Sequence, residues 1–235
     1  MKNPEESLHS AAGLEYRLCR ARVKSLSIRI LEGSVVVKAS FDAPLAAINA
    51  FVTQKQAWIS AKLEAYRVKI RRFSAVLEYR AVLMHGVSYP VVISATVKKA
   101  VFADEKLLIP RAAAETEEKL CRTLRAWYSR HASGYLEDRI IQLSEVFGLP
   151  FGGFSLTGAR TKWGSCDAQN RIRLNFRLSF LPPNIRDYVI IHELCHTKYH
   201  NHGPLFWEHV EKNCPVYRTA RKELKEYSVL AGLYR

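Results

Sequence analysis

The run Pro182–Gly203, PPNIRDYVIIHELCHTKYHNHG, constrains this chain more than any other stretch. Residues four apart on an α-helix stack on one face. A helix through YVIIHELCH therefore aims His192 and His196 at one point, a metal ion's width away. Glu193 is rotated by roughly 100° from His192, so it lies near that ion, is poorly placed to ligate it, and stays free to polarise a bound water. The apolar YVII before it must be buried to hold such a pair rigidly. Pro183 suits the helix start, and Asn201 with Gly203 ends the helix by about residue 201.

A catalytic zinc takes three protein ligands and leaves a fourth position for water. His200, His202, His209 and several downstream glutamates are candidates for the third. On a continued helix His200 would lie a turn too far along the axis. His202 sits where the chain turns back and can reach the ion from a new direction, so it is chosen here. The six-position step from His196 to His202 matches the metzincin pattern, but Tyr199 replaces its glycine and both methionines, Met1 and Met84, precede the helix. A thermolysin-like glutamate is the alternative; among Glu208, Glu211, Glu223 and Glu226, Glu208 is best placed. His9, His85 and His131 are scattered and read as ordinary surface or core residues.

At 235 residues with 48% hydrophobic content, the chain can bury one substantial core and a small second one. No apolar run is long enough to span a membrane. The start, MKNPEESLHS, lacks the apolar stretch of a secretory signal, and the five widely spaced cysteines contain no C-x-x-C pair. A cytoplasmic location with reduced thiols is the expectation. The net charge of +14 attracts polyanions, nucleic acid included, although no nucleic-acid-binding motif accompanies it and a solvated basic surface also accounts for it.

Along the chain, Leu26, Ile28 and Ile30 alternate as in a strand, and Glu32-Gly33-Ser34 reads as a hairpin turn. Pro44 opens a helical pattern running to about Tyr66. Residues 80–110 return to short β-branched strands. A helix is expected over 112–147, with Gly134 as a point of division. FSLTGARTKWGSC and RIRLNFRLSF then read as two strands joined by DAQN, and Pro204 and Pro215 start two more helices. The order predicts an α+β protein, with a β-rich N-terminal subdomain over 1–110 and a catalytic one over 111–235. In TKWGSC, Trp163 and Gly164 read as a packed strand end, and Arg160, Lys162 or Asn175 as contacts to substrate or to a developing oxyanion. Cys195 reads as a small buried helix residue, and Cys166 as a nucleophile only formally.

Three segments, KWGSC, IRLNFRLSFLPPNIRDYVIIHELCH and NHGPLFWEHVEKNCPVY, together resemble the YgjP-like metal-dependent hydrolases, relatives of the SprT-like and WLM metallopeptidases. SLSIRILEGSVVVKASFDAP and FVTQKQAWI are similar to that family's N-terminal β segment and first helix, so the resemblance covers most of the chain; RTARKELKEYSVLAGLYR departs more. It implies a zincin-like catalytic domain with His192, His196 and His202 as zinc ligands, Glu193 as catalytic base, and an aromatic after the third histidine, as in HGPLFW. Substrate identity does not transfer with fold.

The expected function is a zinc-dependent hydrolase, foremost a metallopeptidase acting on peptide or protein substrates. In it Zn²⁺ lowers the pKa of its water toward about 7, and Glu193 takes the proton and passes it to the leaving amine. Two other readings stay open: a metal-dependent phosphohydrolase acting on nucleotides, which lacks the usual carboxylate clusters, and a DNA-associated protein with a structural zinc closed by a fourth ligand.

Overall fold

The computed structural model describes residues 5–234; residues 1–4, part of the start read above for a secretory signal, and residue 235 lie outside it. The chain is mixed α and β, and divides into two compact units, 1–72 and 73–235.

In the first unit, strands β1 (Glu5–Ala11), β2 (Leu14–Arg20), β3 (Ser27–Leu31) and β4 (Ser34–Ala39) form one sheet in the order β1-β2-β4-β3. The β2–β4 pair is parallel and the other two are antiparallel. The expected hairpin is present, with Glu32 at φ 49° and Gly33 at φ 78° as its two central residues. Two left-handed residues match the twist of the strands they join. A side chain at Gly33 would also strike the Tyr66 ring, with a Cβ 2.8 Å from Cε1. The helical stretch expected from Pro44 is two helices, α1 (Leu45–Gln54) and α2 (Gln56–Arg72), broken at Lys55. Their Ile48, Val52 and Ile59 pack on Tyr16, Leu18, Val35 and Val37 of the sheet.

The second unit opens with the single-turn α3 (Ser74–Leu77). A second sheet follows, with β5 (Ala81–Met84), β6 (Val87–Ser94), β7 (Val101–Ala103) and β8 (Lys106–Pro110) in the order β5-β6-β8-β7. The stretch 73–110, expected with the N-terminal part, thus belongs to the second unit: Val82, Leu83, Leu107 and Ile109 share its core with Leu124, Tyr128 and Leu136 of α4 (Glu117–Phe147). Tyr128 fixes this packing by donating to Leu83 O at 3.1 Å and accepting from Leu83 N at 2.8 Å. Helix α4 begins where Thr116 accepts from Lys119 N at 3.2 Å and ends at Gly148 in the left-handed region, φ 62°. Gly134 does not divide it, because nothing lies within 4 Å of where its Cβ would be and the ladder continues through it.

After α4, strands β9 (Gly153–Thr157), β10 (Gly164–Cys166) and β11 (Arg171–Asn175) form a third sheet, ordered β10-β11-β9. The two runs expected here are therefore three strands, with β9 parallel and β10 antiparallel to β11. A turn of 3-10 helix over Phe176–Phe180 leads to α5 (Pro183–Cys195), then α6 (Pro204–Asn213) and α7 (Tyr217–Leu224). Among the described residues no helix is long and apolar enough to cross a membrane.

Candidate active site

Helix α5 is apolar because it is the central element of the second unit's core: Ile185, Val189, Ile190, Ile191 and Leu194 are all buried. Its last turn tightens. Thr197 N bonds Leu194 O at 3.0 Å and Lys198 N bonds Cys195 O at 3.2 Å, three-residue steps in place of four. The helix thus ends at His196 and releases the chain to turn back through 197–203. That reversal brings His202 onto His192, Nε2 to Nε2 at 3.1 Å. His192, His196 and His202 each offer a ring nitrogen, all within 4.8 Å of one another.

The surroundings of His192 and His196 favour their neutral imidazoles. Burial, then the nearby His196, His202 and Arg221, pushes His192 down to about 3. Burial also lowers His196, while a hydrogen bond to Tyr199 O opposes it. That bond, 2.9 Å from His196 Nδ1, fixes the tautomer and leaves Nε2 to the cluster. Phe206 of α6 forms the floor, with its ring 4.4 Å from that of His196, 5.0 Å from His192 and 4.8 Å from His202. The donor set fits a divalent cation: two ring nitrogens face each other at hydrogen-bond distance beside a third, on an apolar floor.

Glu193 is 7% exposed. Burial raises its carboxyl from 4.5 up to about 7, against the opposing charge of Lys162. Its side chain lies on Gly164 of β10: a Cβ there would sit 2.7 Å from Glu193 Cγ, 2.8 Å from Oε1 and 2.9 Å from Cδ. Helix α5 and strand β10 thus form two walls of an open cleft of about 380 Å³. Its lining includes Lys162, Trp163, Tyr188 and the three histidines, and among the described residues Glu193 is the single carboxylate in it.

A family model described as "YgjP-like, metallopeptidase domain" matches residues 24–227. The chain belongs to the YgjP-like metallopeptidase family. It is therefore a hydrolase, of a family whose name implies a divalent metal and peptide or protein substrates. A solved structure, "Crystal structure of the metallopeptidase zymogen of Pyrococcus abyssi abylysin", is 21% identical; the match covers 37% of this chain and 90% of that one, with a TM-score of 0.35. No curated protein matches the chain.

In this YgjP-like chain the residues singled out from TKWGSC and its neighbours separate. Lys162 is exposed and lines the cleft. Arg160 is exposed on the preceding loop and does not line it. Asn175, expected to contact substrate, is fully buried and saturated, so it braces the cleft wall instead. Its amide donates to Ala159 O at 2.7 Å and Lys162 O at 2.8 Å, and its backbone N–H donates to Trp163 O at 2.8 Å. Its Oδ1 accepts from Arg177, whose buried guanidinium also donates to Leu233 O at 2.6 Å and Tyr234 O at 3.3 Å. The divergent C-terminal segment is thereby tied, through two buried side chains, to the loop that leads into Gly164.

Three contributors escaped the sequence reading. Gly164 was read as packing alone; an isolated glycine in a strand pattern is the signal of close approach, here to Glu193. Trp207 stacks on His202 at 5.6 Å and carries the Arg221 guanidinium on its ring at 4.6 Å. Arg221 gave no local signal, because it comes from α7, two helices on.

Proposed function

We propose that this chain is a zinc peptidase in which His192, His196 and His202 hold the ion and Glu193 is the general base. The observation that carries the reading is the convergence of three imidazole nitrogens within 4.8 Å, beside a buried carboxyl. Three histidines and an open position are a known donor set for catalytic zinc. When bound, the ion supplies Lewis acidity, which polarises a carbonyl and acidifies water. Glu193, held near neutral by burial, can accept a proton from the attacking water and return it to the leaving amine. The Trp163–Cys166 wall and Lys162 face the substrate. We also read residues 73–235 as one zincin-like catalytic unit, in place of the 111–235 expected from sequence.

The phosphohydrolase alternative loses support because the cleft holds one carboxylate and paired metals need several. The structural-zinc alternative needs a fourth side chain, and among the described residues no cysteine or carboxylate joins the three histidines. Turnover of a mixed peptide pool by the zinc-loaded protein and by Glu193→Gln tests the reading. Equal metal content with turnover lost in the variant supports it, and full turnover in the variant contradicts the base assignment.

A further inference from the structure

Two cations stand at the cleft, Lys162 in its lining and Arg221 beside it, and neither forms an ion pair among the described residues, although Lys162 lies close enough to act on the Glu193 carboxyl. Lys162 lines one side and is exposed. Arg221 flanks the other: its guanidinium lies 4.6 Å from the Trp207 ring, and that ring is 5.6 Å from His202 and 5.7 Å from His192. Three acidic groups in the neighbouring sequence are engaged elsewhere, while Glu208 of α6 is exposed to solvent. Asp167, next to Cys166, pairs with Arg171 at 2.9 Å and Arg173 at 3.8 Å. Glu211 of α6 pairs with Arg218 at 3.2 Å, and Glu223 of α7 accepts from Asn184 at 3.4 Å. The remaining acid in the cleft is Glu193 itself, buried beneath the rim.

Most other surface arginines with a carboxylate at hand take it, as Arg71, Arg80, Arg122 and Arg218 do. Arg221 instead sits over an indole, 4.6 Å from the Trp207 ring, a contact that steadies the guanidinium without taking up its N–H donors. A guanidinium without an ion-pair partner is suited to a carboxylate, which it can grip with two parallel bonds. Lys162 offers a mobile point charge across the cleft. A cleft lined by one sign of charge concentrates the opposite sign.

Resting on the peptidase reading, we propose that the cleft selects peptides bearing a carboxylate beside the scissile bond, with Lys162 and Arg221 as the residues that bind it. The carboxylate can belong to an acidic side chain or to a free C-terminus, and the two sources are separable. The zinc-loaded full chain is given four matched peptides: one flanked by Asp or Glu with an amidated end, one flanked by Lys, and one flanked by Ala with either a free or an amidated end. At low salt the acidic peptide should exceed the Lys peptide in kcat/KM by about tenfold or more, and added salt should shrink the gap. A free-ended Ala peptide that outruns its amidated twin assigns the carboxylate to the terminus. The double variant Lys162→Gln/Arg221→Gln should bring the acidic-to-Ala ratio toward one. Equal rates for acidic, Ala and Lys peptides would overturn this proposal and leave the peptidase reading standing. Hydrolysis of none would refute the peptidase reading and this one with it. Binding to zinc-loaded Glu193→Gln gives a second readout, and the proposal is overturned if neither the acidic peptide nor the free-ended Ala peptide binds tighter than the Lys peptide.

Discussion

Gly164→Ala adds one methyl group, and the structure states where it goes. The backbone at Gly164 is not in the left-handed region, so alanine fits the strand and the effect is steric alone. The new Cβ would stand 2.7 Å from Glu193 Cγ and 2.8 Å from Oε1. Carbon atoms in contact rest at about 3.5–4.0 Å, so the Glu193 side chain must retreat by about 1 Å. Misplacing a catalytic group by that distance can cost about 10²-fold in rate, or about 2.7 kcal/mol of transition-state stabilisation. The three atoms nearest the new Cβ all belong to Glu193 and none to the three histidines, so zinc content should stay at the wild-type level. Crowding a packed wall should lower stability by about 1–3 kcal/mol. Steady-state kinetics on a peptide substrate, with metal analysis and urea unfolding on the same preparation, read all three. A Gly164→Ala protein with bound zinc and undiminished kcat would refute the claim that Glu193 acts from this position.

The buried Glu193 carboxyl also sets a pH dependence in the metal-free protein. Its folded pKa is raised from 4.5 to about 7, so between those values the folded state holds more protons than the unfolded one, and stability falls as pH rises. The whole fall is about 3 kcal/mol. Gln cannot ionise, so chelator-treated Glu193→Gln should gain on wild type by that amount between pH 4.5 and 8 in urea titrations; a pH-independent difference would disprove it. Asn175→Asp keeps the acceptor for Arg177 but loses the amide donors to Ala159 O and Lys162 O. It should retain zinc, speed hydrogen exchange in peptides spanning 158–165, and lower kcat by about tenfold through loop misplacement; unchanged exchange would show that the amide does not hold the loop. Zinc at about 100 times its Kd should stabilise the folded chain by about 2.7 kcal/mol, and His202→Ala should abolish most of that gain in thermal melts.

The three-histidine cluster could be read from the sequence because its geometry is local. His192 and His196 follow from helical period, and His202 from a helix end forecast by Asn201 and Gly203. The wall opposite could not be read in that way. Gly164 meets Glu193 only because β10 pairs with β11 and β11 leads, by a short 3-10 turn, into α5. Asn175 looked like a polar residue available to substrate. Its burial depends on a loop 13 to 16 residues earlier and on a C-terminal segment 56 residues later. The fold's class followed from element order, whereas the grouping of 73–110 with the second unit rests on core contacts with α4 that no local pattern reports. Gly134 shows the opposite limit: a residue that commonly interrupts helices sits on an open face where its lack of a side chain changes little.

Anomalous scattering at the zinc edge from crystals of the zinc-loaded protein tests the central claim most directly. One peak is expected, bonded to Nε2 of His192, His196 and His202 at about 2.0–2.1 Å, with no fourth protein ligand and the Glu193 carboxyl beside it. An ion closed by a fourth side chain, or one bound away from these three rings, would contradict the account.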